Sequence, residues 1–193
     1  MKRLILPILL GLLALMLGAC ASKRLDMYTL APAELSVTRT PYAGSDVRVE
    51  YPKGIDDTMS SRIYYSRSDL TRSYYLYHQW SQPLNRLVMA HIIESLQRAH
   101  AFRHVLDYAS EAGADYLLET TIYRFEHQIT PRGSYAQISI GLRLLRNGDK
   151  SLVKSRRFDY RIPCPSTDAP GFIQAANQAM ERFSSDMLRW LKS

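Results

Sequence analysis

Residues 135–162 read YAQISIGLRLLRNGDKSLVKSRRFDYRI, and this stretch decides the fold. In its first half Ala136, Ile138, Ile140, Leu142 and Leu144 fall on every second position; in its second half Phe158, Tyr160 and Ile162 do the same. Period-two alternation marks a strand with one face buried. Between the halves stands Asn147-Gly148, a strong hairpin signal, because both residues tolerate the left-handed backbone that a tight reversal needs. Upstream, Ala114 to Ile129 reads as a third strand, bounded by Gly113 and Pro131. Residues 114–162 therefore predict an antiparallel meander, which Pro163 and Pro165 bring to an end.

A helix follows. Asp168 is placed to cap it, Pro170 suits its first turn, and Phe172, Ile173, Ala176, Ala179, Met180, Phe183, Met187, Leu188 and Leu191 form a stripe of helical period. Before the meander, Trp80-Ser-Gln-Pro83 opens another helix, with Ser81 or Gln82 as cap. Its stripe is Leu84, Leu87, Val88, His91, Ile92, Ser95, Leu96 and Ala99, ending near His100, and Phe102 to Leu106 predicts a short strand after it. Asp26 to Leu30 and Asp46 to Tyr51 alternate as strands, separated by a loop over 31–45 with Pro32, Pro41 and Gly44. Two amphipathic helices need apolar surface, and one sheet face can supply it to both. The fold predicted is a single α+β two-layer domain: a mostly antiparallel sheet with the two main helices on one face.

The chain begins differently. Lys2 and Arg3 precede an uncharged apolar run, Leu4 to Ala19, that is shorter than the roughly 20 residues needed to span a bilayer. It reads as a secretory leader over residues 1–19. At the cleavage point Leu17-Gly18-Ala19-Cys20 resembles a bacterial lipobox, which implies lipidation of Cys20, a tether over 20–25 and a domain over 26–193. A single acyl chain binds membranes reversibly and several hold firmly, so the resemblance implies a permanent membrane anchor. Ala21-Ser22 in place of an Asp after the Cys points, by the same resemblance, to the outer membrane. Losing Lys2 and Arg3 with the leader lowers the net charge from +7 to +5. A surplus of that size favours anionic surfaces, and export argues against nucleic acid. Cys164 would be the lone remaining thiol, without an internal disulfide partner, and reads as a buried or partly covered thiol rather than a nucleophile.

Arg62 to Ser66 and Ser73 to Tyr77 predict a β-hairpin dense in aromatics: Tyr64, Tyr65, Tyr74, Tyr75 and Tyr77 lie within fourteen residues. Two readings stand side by side, cross-strand packing against the core and an aromatic face for a protein partner. The second makes Tyr64, Tyr65, Tyr75, Tyr77 and Trp80 candidate partner-binding residues. Catalytic patterns are lacking. His100 and His104 are four apart, but the helix end falls between them and no further ligand completes a metal site. Ser151 and Lys154 have Ser-x-x-Lys spacing inside a strand rather than at a helix start, and Asp56-Asp57 reads as a solvated turn. The sequence predicts no enzyme, metal or cofactor.

The run Ile63-Tyr64-Tyr65, then Tyr74, Tyr75 and Tyr77, then Trp80-x-x-Pro83-Leu84, resembles the ABC-type transport auxiliary lipoproteins, the group that includes paraquat-inducible protein C. The likeness extends to Tyr28-Thr29-Leu30, Ala114 to Leu117, Gly133, Leu188 and Trp190. It implies a fold like the amino-terminal domain of TolB. It also implies a non-enzymatic accessory role in the outer membrane, facing the periplasm, in moving phospholipid or another lipid between membranes. The implied partners are an ABC transporter or a protein with mammalian-cell-entry (MCE) domains, with self-association as a further expectation. A structural envelope-assembly or peptidoglycan-associated lipoprotein is the alternative.

Overall fold

The computed structural model describes residues 24–54, 60–68 and 71–193. The leader, Cys20 and Asp56-Asp57 lie outside the described residues. The described residues form nine strands and two helices: β1 (Asp26–Tyr28), β2 (Asp46–Val49), β3 (Lys53–Gly54), β4 (Arg62–Ser68), β5 (Thr71–Trp80), α1 (Leu84–Arg98), β6 (His104–Asp107), β7 (Tyr116–Thr130), β8 (Gly133–Arg146), β9 (Leu152–Pro163) and α2 (Ala169–Lys192).

The meander dominates. β7 and β8 pair antiparallel from Tyr116↔Arg146 to Thr130↔Gly133, and β8 pairs with β9 from Tyr135↔Pro163 to Leu145↔Leu152. The even positions of β8, Ala136 to Leu144, are buried to the last few per cent of their surface. They meet Ile122 and Phe125 of β7 on one side and Phe158 and Tyr160 of β9 on the other. The other edge of β7 is covered by three short parallel strands in line: β2 beside Tyr116–Leu118, β3 beside Thr121 and β4 beside His127. β5 and then β1 extend the sheet beyond β4, while β6 extends it beyond β2. The two-layer α+β architecture is thus present, in a sheet that is mixed. Its long ladders are antiparallel and its short ones largely parallel, because alternation reports which face a residue takes, not which way its neighbour runs.

The pairing of β7 with β8 slips at Tyr123, between Ile122↔Ile140 and Arg124↔Ser139. One extra residue switches the parity of the strand. Leu118, Thr120 and Ile122 point inward before it, Phe125 and His127 after it, and Tyr123 is turned out.

Both helices lay their predicted stripes on the inner face, α1 against β2 and β6, α2 against β8 and β9. Asp168 caps α2 through Gly171 N–H (2.9 Å), with Pro170 in the first turn. The α1 cap differs from expectation: Pro83 itself occupies it with no side-chain hydrogen bond. The loop carbonyls of Ser60 and Ser61 accept from Leu84 and Trp80 N–H instead (3.2 and 2.7 Å), so Ser81 and Gln82 are not needed. The helix ends at His100, which takes the left-handed φ of 51° while the N–H groups of His100 and Ala101 bond to Gln97 and Leu96 carbonyls. This is a Schellman closure. The Asn147-Gly148 reversal also differs. Asn147 is drawn to the start of β7, its backbone N–H on Asp115 O and its side-chain amide on Ala114 O (both 2.9 Å). The turn therefore widens, and Lys150 takes the positive φ of 58°. Among the described residues no helix is long and apolar enough to cross a membrane.

Candidate interaction face

Strand alternation splits the tyrosines of the β4–β5 hairpin between the two faces of the sheet. Ile63 and Tyr65 point toward the helices. Tyr64 points away and meets Tyr74 across the ladder, ring centroids 6.2 Å apart and edge-on at 72°. The hairpin register jumps: Tyr64 pairs with Tyr74 but Arg62 with Gln79, so β5 bulges between those pairs. Leu76 and Tyr77 are exposed on the bulge.

Trp80 follows it and is 1% exposed, edge-on to Phe125 and Phe172 at 5.7 and 6.3 Å. That burial removes Trp80 from any partner surface. It is a core residue, because after the bulge its position faces α2.

Tyr75 is half-buried on the same inner side. Its hydroxyl lies 2.7 Å from His127 Nδ1, and the His127 ring stacks on Phe172 at 5.4 Å. His127 Nε2 is buried without a partner among the described residues. Desolvation of the ring lowers the His127 pKa from 6.5 to about 4, opposed by the more distant Asp168 carboxylate. Burial pushes the Tyr75 phenol well above its ordinary value. Both groups are neutral near pH 7, and the pair joins hairpin, β7 and α2.

The helix-free face is chemically distinct. Arg62 lies over the Tyr74 ring (4.2 Å) and Arg72 over Tyr64 (5.3 Å), while Arg72 Nε reaches Glu126 at 2.9 Å. Arg124 pairs with the same Glu126 at 3.5 Å. Farther across, Arg143 pairs with Glu119 (2.8 Å) directly opposite in the β7–β8 ladder. Arg157 donates to the Ser139 hydroxyl (2.7 Å), bonds Asp159 (3.2 Å) and covers the Tyr123 ring at 4.4 Å. Arg161 covers Tyr135 at 4.0 Å. Gly141 belongs to this construction: a Cβ there would come within 2.8 Å of the exposed Tyr123 ring, which would have to move aside. A guanidinium stacked on a tyrosine ring still directs its N–H groups outward in its own plane, where carboxylates can be met. These arginines outnumber the carboxylates Glu119, Glu126 and Asp159 that they meet, leaving the face positive.

Sequence reasoning found Tyr64 of this surface but missed Arg124, Arg143, Arg157, Arg161, Tyr123 and Tyr135. The signal was the polar half of each alternating strand, which reads by itself as solvated surface.

The remaining candidates separate. His100 closes α1. His104 Nδ1 bonds Asp46 (2.9 Å), whose carboxyl is lowered to about 2, first by the Arg103 hydrogen bond and then by His104. Ser151 Oγ donates to Asp149 and Lys154 Nζ to Trp190 O, so those two do not meet. Cys164 is free and half-buried, its thiol pushed up by burial. Among the described residues no three His, Cys, Asp or Glu side chains converge as a metal site.

No curated protein matches the chain. Solved structures share its fold. A crystal structure of a Xanthomonas campestris protein of family DUF330 matches with TM-score 0.74 at 22% identity, over 85% of this chain and 95% of that one. A second, described as an uncharacterized protein, matches with TM-score 0.67 at 17% identity, over 87% and 99%. A family model described as the ABC-type transport auxiliary lipoprotein component matches residues 28–188, from the last residue of β1 into the final turns of α2. The chain belongs to that family of ABC-type transport auxiliary lipoproteins.

Proposed function

We propose that the protein is a non-enzymatic docking component of an intermembrane lipid-transport system. Lipidated Cys20 anchors it in the outer membrane with the folded body in the periplasm. There its helix-free sheet face binds an acidic surface of an MCE-domain protein or of an ABC transporter component. The observation that carries this reading is the arginine–tyrosine surface, with Arg62 over Tyr74 and Arg161 over Tyr135. Tyr and Arg are the residues that concentrate binding energy at protein interfaces, and a positive face selects a negative partner and speeds its approach. Transport auxiliary work requires contact rather than reaction.

Co-purification from detergent-solubilised envelope tests the reading. The wild-type protein is expected to bring down an MCE-domain or ABC component, and an Arg62→Glu/Arg161→Glu variant to lose it. Recovery of neither component with the wild type contradicts the proposal.

A further inference from the structure

β1 is an outermost strand of the sheet, paired with β5 from Asp26↔His78 to Tyr28↔Trp80. Exposed edges are ordinarily blunted by charge or proline. This one is apolar. Met27 is 65% and Leu76 70% exposed, and Leu25 and Tyr77, each one residue before the Asp26–His78 pair, are exposed as well. The parallel pairing of β1 with the bulged β5 brings these four large side chains to a single edge. Cys20 stands six residues before Asp26, so an extended tether holds this edge within about 20 Å of residue 20.

We propose that the β1–β5 edge rests on the lipid surface of the membrane, with Leu25, Met27, Leu76 and Tyr77 at headgroup depth. This rests on the reading of Cys20 as the lipidated residue. Four side chains are too few to hold a free protein on a bilayer, but the tether makes their contact intramolecular, so a small patch can set orientation. Tyr suits the interfacial zone, and exposed Arg24 lies beside the edge for anionic headgroups. At that depth water still reaches the unpaired backbone groups of β1. The sheet order β1-β5-β4-β7-β8-β9 then stands on edge. β9 points away from the bilayer and the arginine–tyrosine face is unobstructed.

Tryptophan scanning with brominated lipids tests the contact. The acylated full-length protein is placed in phosphatidylethanolamine–phosphatidylglycerol vesicles carrying bromines near the headgroup, after mass spectrometry has established the state of residue 20. Met27→Trp and Leu76→Trp are compared with Ser155→Trp on β9, and the parent signal of buried Trp80 and Trp190 is subtracted. Expected are a blue shift and loss of most fluorescence at 27 and 76, with neither at 155. Quenching no stronger at 27 and 76 than at 155 overturns the inference, as does a blue shift without quenching, which would mean that protein covers the edge. Those results on acylated protein leave the anchor standing; an unacylated residue 20 overturns anchor and contact together.

Discussion

The two faces of one sheet are built from adjacent residues of the same strands, and they differ in almost every property. On the inner face Ile138, Ile140, Leu142 and Leu144 are closed under the helices. On the outer face their neighbours Ser139, Gly141 and Arg143 take part in a network of arginine, tyrosine and carboxylate. The inner face gains its free energy from burial, roughly 25 cal/mol per Å² of apolar surface, and is satisfied within the chain. The outer face consists mostly of exposed ion pairs and ring stacks that contribute little to stability but present donors to whatever approaches; Glu126, buried beneath Arg72 and Arg124, is the exception. Stability and recognition are thereby divided by strand parity. Altering one should leave the other nearly untouched.

The largest effect that separates the faces is expected at Trp80. Trp80→Ala removes a ring wedged between Phe125 and Phe172 and should cost about 3–5 kcal/mol, read from urea denaturation; a loss under about 1 kcal/mol would contradict the core assignment. Next is pH. The His127 ring is neutral when folded and takes a proton readily only when unfolded, so its contribution is fully present above pH 6.5 and is lost as pH falls toward about 4. Each tenfold drop in the ring's proton affinity corresponds to about 1.4 kcal/mol. Up to about 3 kcal/mol should therefore disappear over that window. His91, lowered likewise by burial, adds to the same slope. His127→Gln should flatten the profile of stability against pH between 6.5 and 4; an unchanged slope would contradict the account of the buried ring.

Asp168→Ala removes the α2 cap and should lower stability by about 1 kcal/mol, measured by thermal unfolding. Smallest is the outer face: Arg62→Ala and Arg161→Ala should each stay within about 0.5 kcal/mol of the parent while weakening capture of the transport partner. Outer-face variants that unfold the protein would erase the distinction between the two faces.

Much of this division was legible before the structure. The even positions of β8, the stripe of α2 with its Asp168 cap, and the stripe of α1 ending at His100 are where alternation and helical period place them. What escaped was set by tertiary context. β3 is two residues long and carries no period. The slip at Tyr123 and the bulge in β5 exchange inside for outside partway along a strand, which sent Trp80 to the core and Leu76 to the surface. Asn147-Gly148 widened because Asn147 had partners at Asp115 and Ala114. The arginine–tyrosine face was the hardest to read, since it draws alternate residues from five strands, β4, β5, β7, β8 and β9, and only the pairing register brings them together.

The most direct test is photo-crosslinking in living cells from p-benzoylphenylalanine placed at Tyr64 on the outer face and, separately, at exposed Arg86 on α1. An adduct with an MCE-domain or ABC transport component is expected from position 64 and none from position 86. An adduct from position 86 with none from position 64 would contradict docking through the outer face.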